Sequence, residues 1–167
     1  MRIKQKIFTL PERIGDRPKT AAQPPHLQHT QQSPPAIYDE LAEWAFFTLP
    51  PKLPVREQQT LISVPTTRAL WLDGSVRAAH KDSFMPPSGS REFWHLHADG
   101  STHLCVSDDV AREVCEKNWG EPHPWKDRGV NEILVYAPRD ESEITVAKRM
   151  MLQSFEYASG RAVDPDL

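Results

Sequence analysis

Three histidines, His95, His97 and His103, sit on either side of Asp99-Gly100 in the segment REFWHLHADGSTHLCV, residues 91–106. Asp-Gly between two apolar-aromatic runs is a strong hairpin signal. If Ala98, Asp99 and Gly100 form a three-residue loop with Gly100 left-handed, His97 faces Ser101 and His95 faces His103. Side chains alternate at period two, so all three imidazoles then share one face of the ribbon. A two-residue loop at Asp99-Gly100 would pair His97 with Thr102 and send His103 to the other face. Three imidazoles on one face suit two chemistries. One is a non-haem metal site built from His95 and His97 with His103 or His123, with Asp99 or Glu121 as the carboxylates within reach. The other is metal-free acid–base work by an imidazole of near-neutral pKa, oriented by another. Against both stands a set of structural histidines satisfied by backbone and by one another.

Two further groups carry chemical potential. His123 lies between Pro122 and Pro124 just after Trp119-Gly120, a rigid loop suited to presenting a titratable group; the competing role is capping of the preceding helix. Arg139 follows Tyr136-Ala137-Pro138, where a strand ends and a helix begins. Its planar fork can grip an enolate or carboxylate, or it can pair with Asp140 or Glu143. Trp94, Trp119 and Tyr136 are the aromatic candidates for stacking on a planar substrate, beside Trp71, Phe93 and Trp125, although aromatic residues at such positions also serve as core.

The elements that would position these groups follow from pattern. Ser33 and Pro34 open a helix, with Ile37, Tyr38, Leu41, Trp44, Ala45 and Thr48 at helical spacing, ending before Pro50-Pro51. Residues 60–64 and 69–72 are two short strands around a Pro65-Thr66-Thr67 turn. The histidine hairpin comes next, after a loop over residues 74–90. Ser107-Asp108-Asp109 caps a helix running to about Asn118. Residues 132–137 are a buried strand. Asp140 with Glu143 resembles a capping box for a last helix burying Ile144, Ala147, Met151, Phe155 and Ala158 and ending at Gly160. The order α-β-β-β-β-α-β-α predicts an α+β domain, with a mostly antiparallel sheet and helices packed on one face.

The chain has 167 residues, 38% hydrophobic residues and 16 prolines. That predicts one domain, residues 34–160, flanked by a disordered or extended amino-terminal tail, residues 1–33, and a short tail, residues 161–167. Within the first tail, Ile7, Phe8 and Leu10 are candidates for a docking arm, and His26 and His29 read as part of a solvated linker. Residues 1–33 carry six Lys/Arg against two acids, and the remainder carries fourteen against twenty-one. A domain of that balance lacks the basic face that nucleic acid requires. Cys105 and Cys115 make no disulfide framework, and no apolar run is long enough to span a membrane or to form a secretory signal. A soluble cytoplasmic protein with a small-molecule partner is the expectation; the oligomeric state is open.

The residues from Arg91 to Trp125, followed by ILVYAPRDESEITVAKRMM, resemble the fungal luciferases and their non-luminous relatives over about 70 residues. The resemblance rests on His95-Leu96-His97, His103-Leu104, Trp119-Gly120 with His123-Pro124, and Tyr136-Ala137-Pro138-Arg139. It implies an oxidoreductase of the monooxygenase kind, whose luminous members oxidise 3-hydroxyhispidin with molecular oxygen and need no flavin or ATP. It also implies an endoperoxide that loses carbon dioxide. By this resemblance His95, His97, His103 or His123 supplies a base for an enol proton, and Arg139 supplies a cation near the enolate. The expected cofactor is none, with O2 as co-substrate. Three departures stand out: no membrane-anchoring amino-terminal segment, a shorter loop between His97 and His103, and Asn118 in place of glycine before Trp119. Most relatives in this resemblance have no known light reaction, so light emission is not expected. The alternatives are a His-ligated metal enzyme and a non-catalytic ligand- or protein-interaction module.

Overall fold

The computed structural model describes residues 8–167. Helix α1 spans Pro35–Glu43 and continues into a π-turn at Trp44–Thr48. Strands β1 (Val55–Gln59), β2 (Arg68–Leu72), β3 (Glu92–Leu96) and β4 (Thr102–Cys105) follow. Then come α2 (Asp108–Glu116), β5 (Gly120–Pro122), β6 (Glu132–Val135) and α3 (Glu141–Ser159). The six strands form one sheet in the order β1-β2-β3-β4-β6-β5, antiparallel throughout. The fold is the α+β class expected, with two differences. The first strand is Val55–Gln59, and residues 60–67 are bends and turns leading to β2. Beyond Val55 that strand is exposed and polar, so it carries no apolar alternation to reveal it. The three-residue edge strand β5 was also unmarked, hidden in the Gly-Glu-Pro read as loop.

The caps are those the sequence encodes. Ser107 accepts from Val110 N–H at the start of α2, and Asp140 accepts from Glu143 N–H at the start of α3. α3 lies across β2, β3 and β4. It buries Met150, Met151 and Phe155 in the same cluster as Phe93, Trp94, Leu96 and Leu104. The hairpin loop is Ala98-Asp99-Gly100. His97 N–H donates to Ser101 O at 2.9 Å, and His95 pairs with His103. Gly100 has φ +92°, and a Cβ there would fall 2.2 Å from Ser33 Oγ, so only glycine fits this turn. One irregularity matters for the site. Leu70 pairs with Trp94 but Trp71 pairs with Glu92, which leaves Phe93 as an extra residue in β3. This bulge turns both Phe93 and Trp94 to the helix side and brings Glu92 onto the face of His95.

Residues 8–33 run as an extended segment anchored to the domain, with many side chains exposed and a few buried. Leu10 and Arg13 are buried, and Leu10 joins the core cluster with Phe8 packed against it. Ile7, the third residue of the expected arm, lies outside the described residues. Gln28 is pinned from both sides: its N–H donates to Asp99 Oδ2, and its Oε1 accepts from Ala137 N–H. His26 is buried, which corrects the linker expectation for it; His29 is exposed. At the other end, Leu167 O accepts from Trp44 Nε1, which ties the carboxy terminus to the π-turn after α1. Cys105 and Cys115 are unpaired. Among the described residues no helix is long and apolar enough to cross a membrane.

Candidate functional site

The hairpin histidines converge on the face of the sheet turned away from α3. His95 Nε2 lies 3.1 Å from His97 Nε2 and 3.1 Å from His103 Nδ1. Two more imidazoles complete the group. His26, from the amino-terminal segment, places Nδ1 3.0 Å from His103 Nε2. His123 lies with its ring centroid 5.6 Å from that of His103 and 5.5 Å from that of His26. All five are buried. They line one cavity of about 410 Å³, together with Glu132, Pro24, Pro25 and residues 62–64. That volume suits a small planar molecule.

Each histidine is oriented by a second group. His95 Nδ1 is 2.6 Å from Glu92 Oε1, His97 Nδ1 is 2.9 Å from Ser101 Oγ, and His26 Nε2 is 2.7 Å from Glu121 Oε1. His123 Nδ1 accepts from Trp125 N–H at 3.1 Å, which leaves its proton on Nε2, 3.4 Å from Glu132 Oε1. Burial sets the electrostatics. It drives His97 well below the ordinary histidine range, helped by His95, and does the same to His103, helped by His97 and the other imidazoles. Burial, then His26 and His95, lower His123 to about 4. Glu132 moves the other way, pushed up to about 8 by burial and by the nearby Glu92 carboxylate. Burial also pushes the Glu121 carboxyl up, but hydrogen bonds from His26, Thr20 and Tyr136 outweigh it and hold the pKa below the ordinary value.

The structure thus brings together four of the five expected catalytic positions, His95, His97, His103 and His123, and separates the fifth. Arg139 Nε donates to Glu143 Oε1 at 2.9 Å, its backbone N–H donates to Glu143 Oε2, and Nη2 holds Ile14 O at 2.7 Å. It lines no part of the cavity. The i,i+4 spacing to a buried carboxylate at the start of α3 claims the guanidinium, so the expected enolate grip is corrected to a structural ion pair. The three aromatic candidates are corrected likewise. Trp94 packs on Phe46 in the core, on the other face of β3. Trp119 is core, with Nε1 donating to Pro11 O. Tyr136 is buried and donates to Glu121 Oε2, so it touches the site only through the carboxylate that orients His26. Asp99 is taken up by Ser101 N–H and Gln28 N–H, and supplies no ligand atom to the histidines.

Sequence reasoning missed His26, Glu92 and Glu132. His26 sits in a Pro/Gln-rich stretch with no periodic signal. The two glutamates, however, stand in strands otherwise buried and apolar, and an acid inside such a run is itself a sign of a site.

Fold and site together define an α+β domain whose open sheet carries a helix-packed apolar face and a histidine-lined cavity opposite. Residues 90–154 match the luciferase domain, and over that segment the chain is similar to the luciferase-like family. Similar curated proteins are the luciferases of Armillaria gallica, Armillaria mellea and Neonothopanus nambi, each 34% identical over 74 residues. These alignments cover 40% of this chain and 28% of each luciferase, so the chain spans well under a third of those relatives' length. No solved structure matches. The matched segment holds Glu92, His95, His97, His103, His123 and Glu132; His26 and its prolines lie outside it. Asn118, at the turn before Trp119, has φ +62°, a left-handed position that asparagine tolerates.

Proposed function

We propose that this domain binds a planar enolic or phenolic molecule, pyrone-like in shape, in the histidine cavity and oxidises it with O2, without flavin or ATP. The observation that carries this reading is the Glu132–His123 pair on the cavity wall. Its two members are shifted in opposite directions, and Glu132 Oε2 has no hydrogen-bond partner among the described residues. A carboxyl with a pKa of about 8 is well matched to taking an enol proton near neutral pH. The His123 Nε2–H, 3.4 Å from Oε1, stabilises the carboxylate before the transfer. The proton moves to Glu132 Oε2, and the substrate is left as an enolate whose electrons can pass to O2. The general base moves from the imidazoles to Glu132, and the anion-stabilising role of Arg139 is dropped. The name luciferase borne by the similar proteins is consistent with an O2-dependent oxidation.

The test is a thermal-shift panel of hydroxypyrones and phenolics on metal-free protein, followed by oxygen uptake with every compound that binds. A ligand that binds only the folded state must raise the midpoint. The expected result is a shift with planar enols, and oxygen uptake that falls about 100-fold or more in Glu132→Gln. No shift across the panel, or full oxygen uptake by the variant, overturns the proposal.

A further inference from the structure

With every imidazole neutral, the hydrogen-bond roles in the histidine cluster do not close. Thr60 Oγ1 donates to Glu92 Oε1, which marks that oxygen as an acceptor. His95 Nδ1, 2.6 Å from the same oxygen, therefore carries the proton, and His95 Nε2 is a bare lone pair. The same logic fixes His26. Thr20 Oγ1 donates to Glu121 Oε1, so His26 Nε2 carries its proton toward that carboxylate and His26 Nδ1 is a lone pair. His103 stands between these two lone pairs, 3.1 Å from one and 3.0 Å from the other. A neutral imidazole has one N–H and can satisfy only one of them. One junction is therefore left with two lone pairs face to face, an arrangement a bound cation resolves.

We propose that His95 Nε2, His97 Nε2 and His103 Nδ1 form a three-imidazole site for one divalent first-row transition-metal ion on the cavity wall. The ligand atoms of the three all lie within 4.8 Å of one another. Metal–nitrogen bonds of about 2.0–2.1 Å at tetrahedral angles place ligand nitrogens roughly 3.3 Å apart. The two 3.1 Å separations already approach that value. The outer nitrogen of every ligand is tied to an acceptor: His95 to Glu92, His97 to Ser101, and His103 to His26, which Glu121 orients in turn. Such partners fix the tautomer and aim the lone pair, as they do in metal centres generally. Three histidines with no protein carboxylate in the first coordination sphere leave a further position for water, O2 or a substrate oxygen. The inference deepens the cavity reading and shares its location, but it does not depend on the Glu132 chemistry.

The test uses tag-free full-length protein stripped with a chelator and titrated with Co²⁺. The expected result is one ion per chain, with the visible bands of a low-coordinate nitrogen site. His97→Gln weakens binding about 100-fold or more, and Ser101→Ala weakens it about 10-fold. His29→Gln keeps it. His123→Gln also keeps it, which separates this site from the other three-histidine grouping, His26, His103 and His123. Wild-type stoichiometry and Cu²⁺ electron paramagnetic resonance, which counts coupled imidazole nitrogens, need no variant and stand even if one fails to fold. Folded wild-type protein that binds no Co²⁺, or that loses it with His123→Gln and keeps it with His97→Gln, overturns the proposal. Because the ligand panel is run metal-free, loss of the metal proposal and loss of the small-molecule proposal give different results.

Discussion

The two faces of the sheet are built from the same strands and do opposite work. On the α3 side, Phe93, Trp94, Leu96 and Leu104 meet Met150, Met151 and Phe155, and their burial supplies stability at roughly 25 cal/mol per Å² of apolar surface. On the other side the central row reads Ala69, His95, His103, Leu134, Glu121 across five strands, and residues 24–27 cover it. Buried titratable groups lose their hydration, and hydrogen bonds only partly restore it. That face is therefore a poor device for stability. The contrast locates function where the structure accepts a cost that an apolar face would avoid.

The sharpest way to break this contrast is a pair of truncations. Phe155→Ala on the helix side should cost about 3–5 kcal/mol in urea unfolding and leave Co²⁺ and ligand binding intact in the protein that remains folded. His97→Gln on the cavity side should change stability by no more than about 1 kcal/mol while removing the metal site. If the histidine variant proves the more destabilised of the two, the cavity face is structural and the division of labour fails.

The next largest effect is on pH dependence, measured on metal-free protein. His97, His103 and His123 have folded pKa values below the unfolded value near 6.5, so the unfolded state takes up more protons as pH falls. Stability should fall below pH 6.5, toward about 4 for His123. Glu132 has the opposite sign: its folded pKa of about 8 exceeds the unfolded 4.5, so its contribution is full below 4.5 and lost as pH rises through 8. Three histidines outweigh one glutamate on the acid limb, which puts the maximum near pH 6.5. In Glu132→Gln the decline between pH 6.5 and 8 should flatten while the acid limb remains. An unchanged alkaline limb would mean that Glu132 is ionised throughout and is not the base.

Gly100→Ala tests how the hairpin turn serves both faces. The left-handed backbone strains any side chain, and the added Cβ at 2.2 Å displaces Ser33 Oγ from Pro138 O. A loss of about 1–3 kcal/mol is expected, with weaker Co²⁺ binding as His97 shifts. Loss of stability with metal affinity unchanged would uncouple the turn from the site.

What was legible in the sequence divides along the same line. The turn, the shared face of His95, His97 and His103, and the capped α2 and α3 follow from local chemistry: Asp-Gly, period two, and Ser or Asp before a helix. The rest depends on contacts distant in sequence. His26 reaches His103 across 77 positions, and nothing in its Pro-rich neighbourhood signals burial. Glu92 joins the site only because Phe93 bulges, and a bulge leaves no mark in a run of apolar residues. β1 escaped notice because a polar edge strand has no buried face to repeat.

Arg139 is where a local rule and a functional expectation competed, and its replacement should have the smallest effect. The local rule, an i,i+4 pair with Glu143, describes the structure, and Arg139 also holds Ile14 O. Arg139→Ala leaves the buried Glu143 carboxylate facing Arg13 at 3.7 Å, so the cost should stay near 1 kcal/mol rather than that of an abandoned buried charge. The amino-terminal segment loses one anchor around Ile14 but keeps those at Gln28 and Ser33, just after the part covering the histidines. Midpoint shifts with hydroxypyrones and Co²⁺ affinity should therefore match wild type. A large drop in ligand affinity would put the guanidinium back in the cavity during binding and require the segment from Ile14 to His26 to move. The two faces would then be coupled through that segment rather than independent.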